Sequence, residues 1–304
     1  MSANTARAYT PAGVLAAAGG VLTWGLGVVF IKLTDSPFLV VSFYRHVFSL
    51  PLLLLVWAFH KDKRLSWRAA GIGGVLFAAH QLANFSALRH ASAATVTILF
   101  SIQPIIVGAL GGRFVGEEAT ARFYLWSTVA VAGCAVVVFA STGDATTSPL
   151  GAALAVTNLV AWCAYYLASK RARESVTTIS WMLVMTLVSG AIVGAIALIA
   201  RAPFGEPSGD EWLLLVAVGV LPGTVGHLLV TWAHPRIHVA ASSALILGVP
   251  IIATAGTAIF VGEPFGPWQA AGGVVALVAT ANAMRHLPSP VAAEAAEHYG
   301  EVAS

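Results

Sequence analysis

Pro104 lies in an apolar run that closes on Val115-Gly116-Glu117, and Pro250 lies in another that closes on Val261-Gly262-Glu263. The second proline follows the first by 146 residues, and the second glutamate follows the first by the same 146. A repeat of that length fills about half of a 304-residue chain, so the molecule reads as two copies of one unit. How often each copy crosses a membrane then decides the architecture.

Composition places the unit in lipid. Hydrophobic residues make up 58% of the chain and charged residues 10%, with a mean hydropathy of +0.83, whereas soluble domains carry about 25% charge. A helix needs about 20 apolar residues to cross the hydrocarbon core. Runs of that kind cover 12–33, 38–59, 68–88, 92–112, 123–140, 150–169, 178–200, 212–232, 239–260 and 267–285. The first is too long for a signal-peptide core and reads as a span. Cys134 and Cys163 sit inside apolar runs without CxxC spacing, which gives neither a metal site nor a disulfide framework. No clustered basic face offers itself to nucleic acid.

Charge sets the orientation. With the N-terminus inside, most Lys and Arg fall on inner segments, among them Lys61, Lys63, Arg64, Arg68, Lys170, Arg171 and Arg173. Only Lys32, Arg89 and Arg201 fall outside. The positive-inside rule therefore predicts a multi-pass protein of the cell membrane with both termini cytoplasmic. Trp57, Trp67, Trp126, Trp181, Trp212, Trp232 and Trp268 lie near span ends, where indoles anchor at the interface, whereas Trp24 and Trp162 lie within spans. Five spans per copy is an odd number, so the second copy enters from the opposite side, and Glu117 and Glu263 fall on opposite faces. The expected fold is an all-α polytopic membrane protein, ten transmembrane helices as two inverted five-helix repeats. Its expected segments are a cytoplasmic N-terminus (1–11), a first repeat (12–141), an inverted second repeat (142–287) and a disordered cytoplasmic tail (288–304). Many secondary transporters are built on such inverted repeats. Trp24 and Trp162, like Lys32 and Lys170, stand 138 apart, so the second copy holds eight extra residues, expected in the stretch 201–211.

These residues carry a family resemblance. Trp24-Gly25, Val29-Phe30-Ile31-Lys32, Pro37 and Phe43-Tyr44-Arg45 resemble the opening of an EamA repeat. Ala87-Leu88-Arg89-His90-Ala91-Ser92, Pro104, Gly116-Glu117 and Gly133 resemble its close, and the order recurs through Trp162, Lys170, Val239-Ala240, Pro250, Gly262-Glu263 and Gly272-Gly273. The chain resembles a ten-span EamA-type member of the drug/metabolite transporter superfamily, with an aromatic pattern similar to YddG-like exporters of aromatic amino acids. That resemblance implies export of small metabolites by alternating access, through a cavity between the halves. The second copy departs from the pattern where Cys163 follows Trp162 and where no arginine matches Arg45.

Polar side chains in lipid are costly and should face a bundle interior or a wet cavity. Phe77, His80, Gln81, Asn84 and Leu88 form one helical stripe, and Asn158, Trp162, Tyr165 and Ser169 form another beside Tyr166. Candidate substrate-binding residues are Trp24, His80, Asn84, Gln103, Trp162, Tyr165, Tyr166 and His227; the alternative for any of them is interhelical hydrogen bonding. Asn158, Ser101 and the span threonines are read as that glue. Pro104, Pro250 and Pro222 each remove a helical hydrogen bond and are candidate hinges. Arg45, the one full charge well inside a span, is read as structural, snorkelling or bonded to carbonyls, with a substrate carboxylate as the other partner.

No GxxxxGK[ST] loop is present for ATP hydrolysis. Every acidic residue falls in a loop, at a span edge or in the tail, so no intramembrane carboxylate is available for proton coupling. The expectation is a monomeric, facilitative exporter without cofactor, metal or catalytic residues, whose partners are the bilayer and a small-molecule substrate, most readily a neutral or aromatic amino acid. Proton-coupled export, with His80 and His227 titrating, is the alternative. A membrane enzyme would need a nucleophile–base pair or paired carboxylates, and a channel would need a continuous polar ring; neither pattern is visible.

Overall fold

The structure, a computed structural model, describes residues 9–141, 147–205 and 207–287. The expected tail and most of the N-terminal segment lie outside the described residues. The first half comprises α1 (Pro11–Leu33), α2 (Phe38–Phe59), α3 (Trp67–His90), the broken span α4–α5 (Ala93–Ser101 and Gln103–Val115) and α6 (Ala121–Ser141). The second comprises α7 (Pro149–Ala172), α8 (Thr178–Ile199), α9 and α10 (Gly209–Val220 and His227–Ala233) joined by a π-helical turn over Leu221–Gly226, the broken span α11–α12 (Val239–Leu245 and Gly248–Phe260) and α13 (Pro267–Arg285). Eight of these spans are long and apolar enough to cross a membrane. The more polar α3, with 24 residues, and the small-residue α13, with 19, complete ten. Each predicted run falls on one span. Ends differ by a few residues because capped polar turns extend helices past the apolar stretch.

Both halves start and stop with the same local chemistry. The Thr10 hydroxyl accepts from the Gly13 amide at 3.0 Å ahead of Pro11, and Ser148 accepts from Gly151 at 3.0 Å ahead of Pro149. A hydroxyl cap followed by proline satisfies an orphan amide and presets φ for the first turn. At the other end, Gly116 (φ 69°) and Gly262 (φ 80°) take the left-handed conformation. The Glu117 amide then reaches Gly111 O at 3.3 Å, and the Glu263 amide reaches Thr257 O at 3.3 Å. This closure needs glycine. The Gly–Glu motif is thus a helix stop that throws a carboxylate sideways.

Pro104, Pro222 and Pro250 each sit at a break. The α4–α5 break falls at Ile102, the α11–α12 break at Ile246-Leu247, and Pro222 lies inside the π turn. The eight extra residues do not gather in 201–211 as expected. Matched helix starts are offset by 138 for α1/α7, 140 for α2/α8, 142 for α3/α9 and 146 for α4/α11. The largest step falls along the span containing the π turn, where a wider turn takes up added backbone within a continuous helix.

The halves interlock about a pseudo-twofold. α3 packs along α7 as α1 packs along α9 and α10, while α2 meets α8 and α6 meets α13. The α6–α13 contact is a close backbone approach: a Cβ on Gly133 would lie 2.7 Å from Ala276 N and 2.8 Å from Gly272 O. Large apolar side chains such as Phe59, Phe139 and Ile199 stand exposed around the bundle, where lipid covers them.

Candidate functional site

A cavity of about 420 Å³ opens where the halves meet. Its walls are aromatic. The Trp24 and Trp162 rings meet edge-on at 5.6 Å, His80 lies 4.8 Å from Trp162, and Trp24 and Phe77 lie 4.8 and 5.0 Å from His227. Hydrogen bonds hold these rings in place. Trp24 Nε1 donates to Pro222 O (3.2 Å), so the π turn and α1 are tied through the cavity wall. Gln103 is buried with its amide spanning the halves: Nε2 donates to Ser243 O (2.7 Å), while Oε1 accepts from Trp162 Nε1 (3.3 Å) and Ser243 Oγ (3.1 Å). Asn84 Oδ1 accepts from Asn158 Nδ2 at 3.1 Å, which gives Asn158 the interhelical role expected of it.

Six predicted residues therefore meet at one surface: Trp24, His80, Asn84, Gln103, Trp162 and His227. Tyr165 and Tyr166 do not reach it, which corrects the expectation. They lie behind Trp162, with ring centroids at 5.6 and 5.7 Å, and are buried against Phe77 and His234. The three aromatics share a helical face, but the cavity ends at Trp162 and the packed floor begins one turn later. Pro222 and Pro250 line the cavity, whereas Pro104 is buried beside it.

Arg45 is the main residue whose surroundings the sequence misplaced. Among the described residues its guanidinium meets a histidine and a ring face, not the carbonyls the sequence suggested. One guanidinium nitrogen lies 2.6 Å from His227 Nε2, and its carbon lies 5.3 Å from the Phe77 ring centroid, both within the cavity wall.

The two ends of the cavity differ. At one end the lining reaches Lys32, Ser141 and Glu263, and Lys32 and Glu263 form an ion pair with side chains 45% and 39% exposed. The Lys32 ammonium holds the Glu263 carboxyl below its ordinary 4.5. Two turns further along α7 than Trp162, beyond the cavity lining, Lys170 pairs with Glu117 at 2.7 Å, and the two side chains are only 9% and 18% exposed. Lys170 Nζ also donates to His234 O (2.5 Å) and Ile237 O (2.8 Å), and Glu117 Oε2 accepts from the Val239 amide (2.5 Å). Burial lowers His238 below its ordinary 6.5 against the pull of Glu117, and its Nδ1 accepts from the Ala240 amide. The two pairs are related by the repeat, lysine by 138 and glutamate by 146. Both offsets were readable in the sequence, but nothing local says that each lysine meets the glutamate at its own end.

The EamA-like transporter family matches this chain twice, over residues 11–139 and 149–284. The chain belongs to that family. A stretch of 166 residues is 30% identical to the aromatic amino acid exporter YddG of Ancylobacter novellus, covering 53% of this chain and 55% of the relative. A stretch of 197 residues is 26% identical to a probable terminal-alkyne amino-acid exporter of Streptantibioticus cattleyicolor, covering 62% and 63%. The aligned segments thus span between about half and two thirds of these relatives. A solved crystal structure superposes with a TM-score of 0.79 over 89% of this chain and 96% of its own, at 21% identity, a likeness of fold. The protein is a multi-pass member of this transporter family.

Proposed function

We propose that this chain exports neutral amino acids, aromatic ones among them, by facilitative alternating access. The observation that carries the reading is an aromatic cavity at the pseudo-twofold that extends to the Lys32–Glu263 end and stops at Trp162, two helical turns short of the buried Glu117–Lys170 pair. With both termini cytoplasmic by the positive-inside rule, Glu117–Lys170 lies on the inner side, and the described state faces outward. Trp24, His80 and Trp162 offer faces and edges to a planar side chain, while Asn84 and Gln103 supply neutral hydrogen-bonding groups. Exchange of the two halves' conformations turns the cavity inward, and the breaks at Pro104, Pro222 and Pro250 are the hinges of that exchange. The named activities of the two amino-acid exporters support the substrate class.

The reading is tested by counterflow in proteoliposomes across aromatic and small neutral amino acids, sugars, nucleobases and lipophilic cations. Saturable exchange of amino acids is the expected result, and exchange confined to another class would sink the substrate claim. Uptake driven by an imposed pH gradient alone would replace facilitation with proton coupling, for which His80 and His227 are placed in the wall.

A further inference from the structure

Arg45 presents the cavity with a positive charge that no carboxylate among the described residues neutralises. Its guanidinium meets His227 and, over a ring face, Phe77, and no ion pair among the described residues involves it. The other ionised groups lining the cavity, Lys32 and Glu263, satisfy each other at the mouth. Among the described residues, Glu263 is the acidic side chain that lines the cavity.

The fold makes room for this cation across the two halves. A Cβ on Gly223 of the π turn would lie 3.0 Å from Arg45 Cγ and 3.0 Å from Ser49 Oγ, so the stem runs past a residue with no side chain. Symmetry does not require it. At the α2/α8 offset of 140 the matching residue is Met185, buried and apolar. The scaffold therefore accepts an apolar side chain at this position in one half and a guanidinium in the other. A guanidinium has five N–H donors, so the contact with His227 leaves most of the fork free, and a planar fork matches a carboxylate in bidentate geometry.

We propose that Arg45, oriented by His227, binds the carboxylate of the substrate, and that the cavity reads carboxylate and planar side chain without reading the ammonium. Asn84 and Gln103 meet an amino group only as neutral amides; Gln103 Oε1 already accepts from Trp162 and Ser243, and Asn84 Oδ1 accepts from Asn158 with one lone pair left. The ligand class is therefore monocarboxylates with a planar side chain, with or without an α-amino group. Decarboxylated amines are excluded, since a second cation beside Arg45 is repelled and the lining carboxylate, Glu263, is already paired with Lys32. The proposal rests on the transport reading above and narrows it.

Thermal unfolding of the purified full chain tests it with phenylalanine, 3-phenylpropionate and phenethylamine, each in large excess. Phenylalanine and 3-phenylpropionate should each raise Tm by about 5 °C, and phenethylamine should leave it unchanged. Stabilisation by the acid alone keeps the carboxylate proposal and removes the amino-acid reading. Stabilisation by phenylalanine and phenethylamine without the acid does the reverse, and stabilisation by none removes both. Arg45→Gln should lose the shift given by both carboxylates, and Arg45→Lys should keep part of it, because an ammonium retains the charge without the fork. An Arg45→Gln protein that folds and is stabilised as fully as the wild type would overturn the proposal. Where that variant fails to fold, the three ligands on the wild type decide.

Discussion

Trp162 touches more of the cavity than its neighbours do: its ring lies within 6 Å of Trp24, His80 and Phe100, and its indole N–H is held by Gln103. Truncation removes both the stacking face and one partner of Gln103. We expect Trp162→Ala and Trp24→Ala each to reduce counterflow of an aromatic substrate about tenfold or more, while a small neutral substrate loses less. Equal transport by wild type and both variants would remove the stacking role. Tyr166 makes the opposite prediction. Its hydroxyl is buried behind Trp162 and faces Ser242 without a well-formed hydrogen bond among the described residues. Replacing a buried, unsatisfied hydroxyl with hydrogen costs little or stabilises, so Tyr166→Phe should transport normally and melt within a few degrees of wild type. A transport-dead but folded Tyr166→Phe would return this tyrosine to the site. Helical spacing put Trp162 and Tyr165 on one face with Tyr166 beside it. It could not say where along that face the cavity stops, since that depends on a floor built from the other half. Arg45 shows the same limit: depth in a span was readable, but the histidine beside it comes from 182 residues away.

At the scale of helices, the sequence carried most of the fold. Apolar runs locate spans because a backbone in lipid must satisfy its own hydrogen bonds, and the prolines locate breaks because each lacks a donor. The π turn was not readable. Leu221–Gly226 contains residues compatible with an α-helix after proline, and its extra backbone shows only when the two halves are superposed. Two substitutions probe this scale. Gly133→Val places atoms where Ala276 N and Gly272 O already stand, backbone that cannot rotate aside. It should destabilise the α6–α13 pair by about 1–3 kcal/mol, as overpacking does, and lower Tm with or without ligand; an unchanged melt would show that the helices separate at no cost. Pro104→Ala and Pro250→Ala restore a donor at each break. If these breaks are hinges, maximal exchange rate falls while ligand affinity stays constant, and an affinity change with constant rate would assign them to the site instead.

The whole molecule presents one chemical device twice, in two states. Glu117–Lys170 is buried and reinforced by two carbonyls and an amide, whereas Lys32–Glu263 spans an accessible mouth. Inverted symmetry predicts the missing state. When the halves exchange conformations, Lys32 should take the place now held by Lys170, donating to the carbonyls of Leu88 and Ala91, which lie 146 residues before His234 and Ile237. Glu117 and Lys170 should then become as exposed as the mouth pair is now. Breaking one pair should bias the molecule accordingly. Lys170→Ala leaves the Glu117 carboxylate buried without its cation, a loss on the order of 3 kcal/mol when a buried pair is broken from one side. It should open the Glu117 end, so that a cysteine introduced at Ser243 becomes reactive to a membrane-impermeant thiol reagent from that side. The charge swap Glu117→Lys with Lys170→Glu should restore part of the seal. Glu263→Gln at the mouth should change little in the outward state, where water already screens the pair. Acid sets a further sign. The Glu263 carboxyl is held below 4.5 by Lys32, so the pair is intact above that range and is lost only as pH falls through the depressed value. Labelling from the mouth should therefore be equal at about pH 5.5 and about pH 7.5. Labelling at Ser243 that ignores Lys170→Ala, or appears equally from both sides in the wild type, would show that the paired charges are ornaments of the repeat and that the seal lies elsewhere.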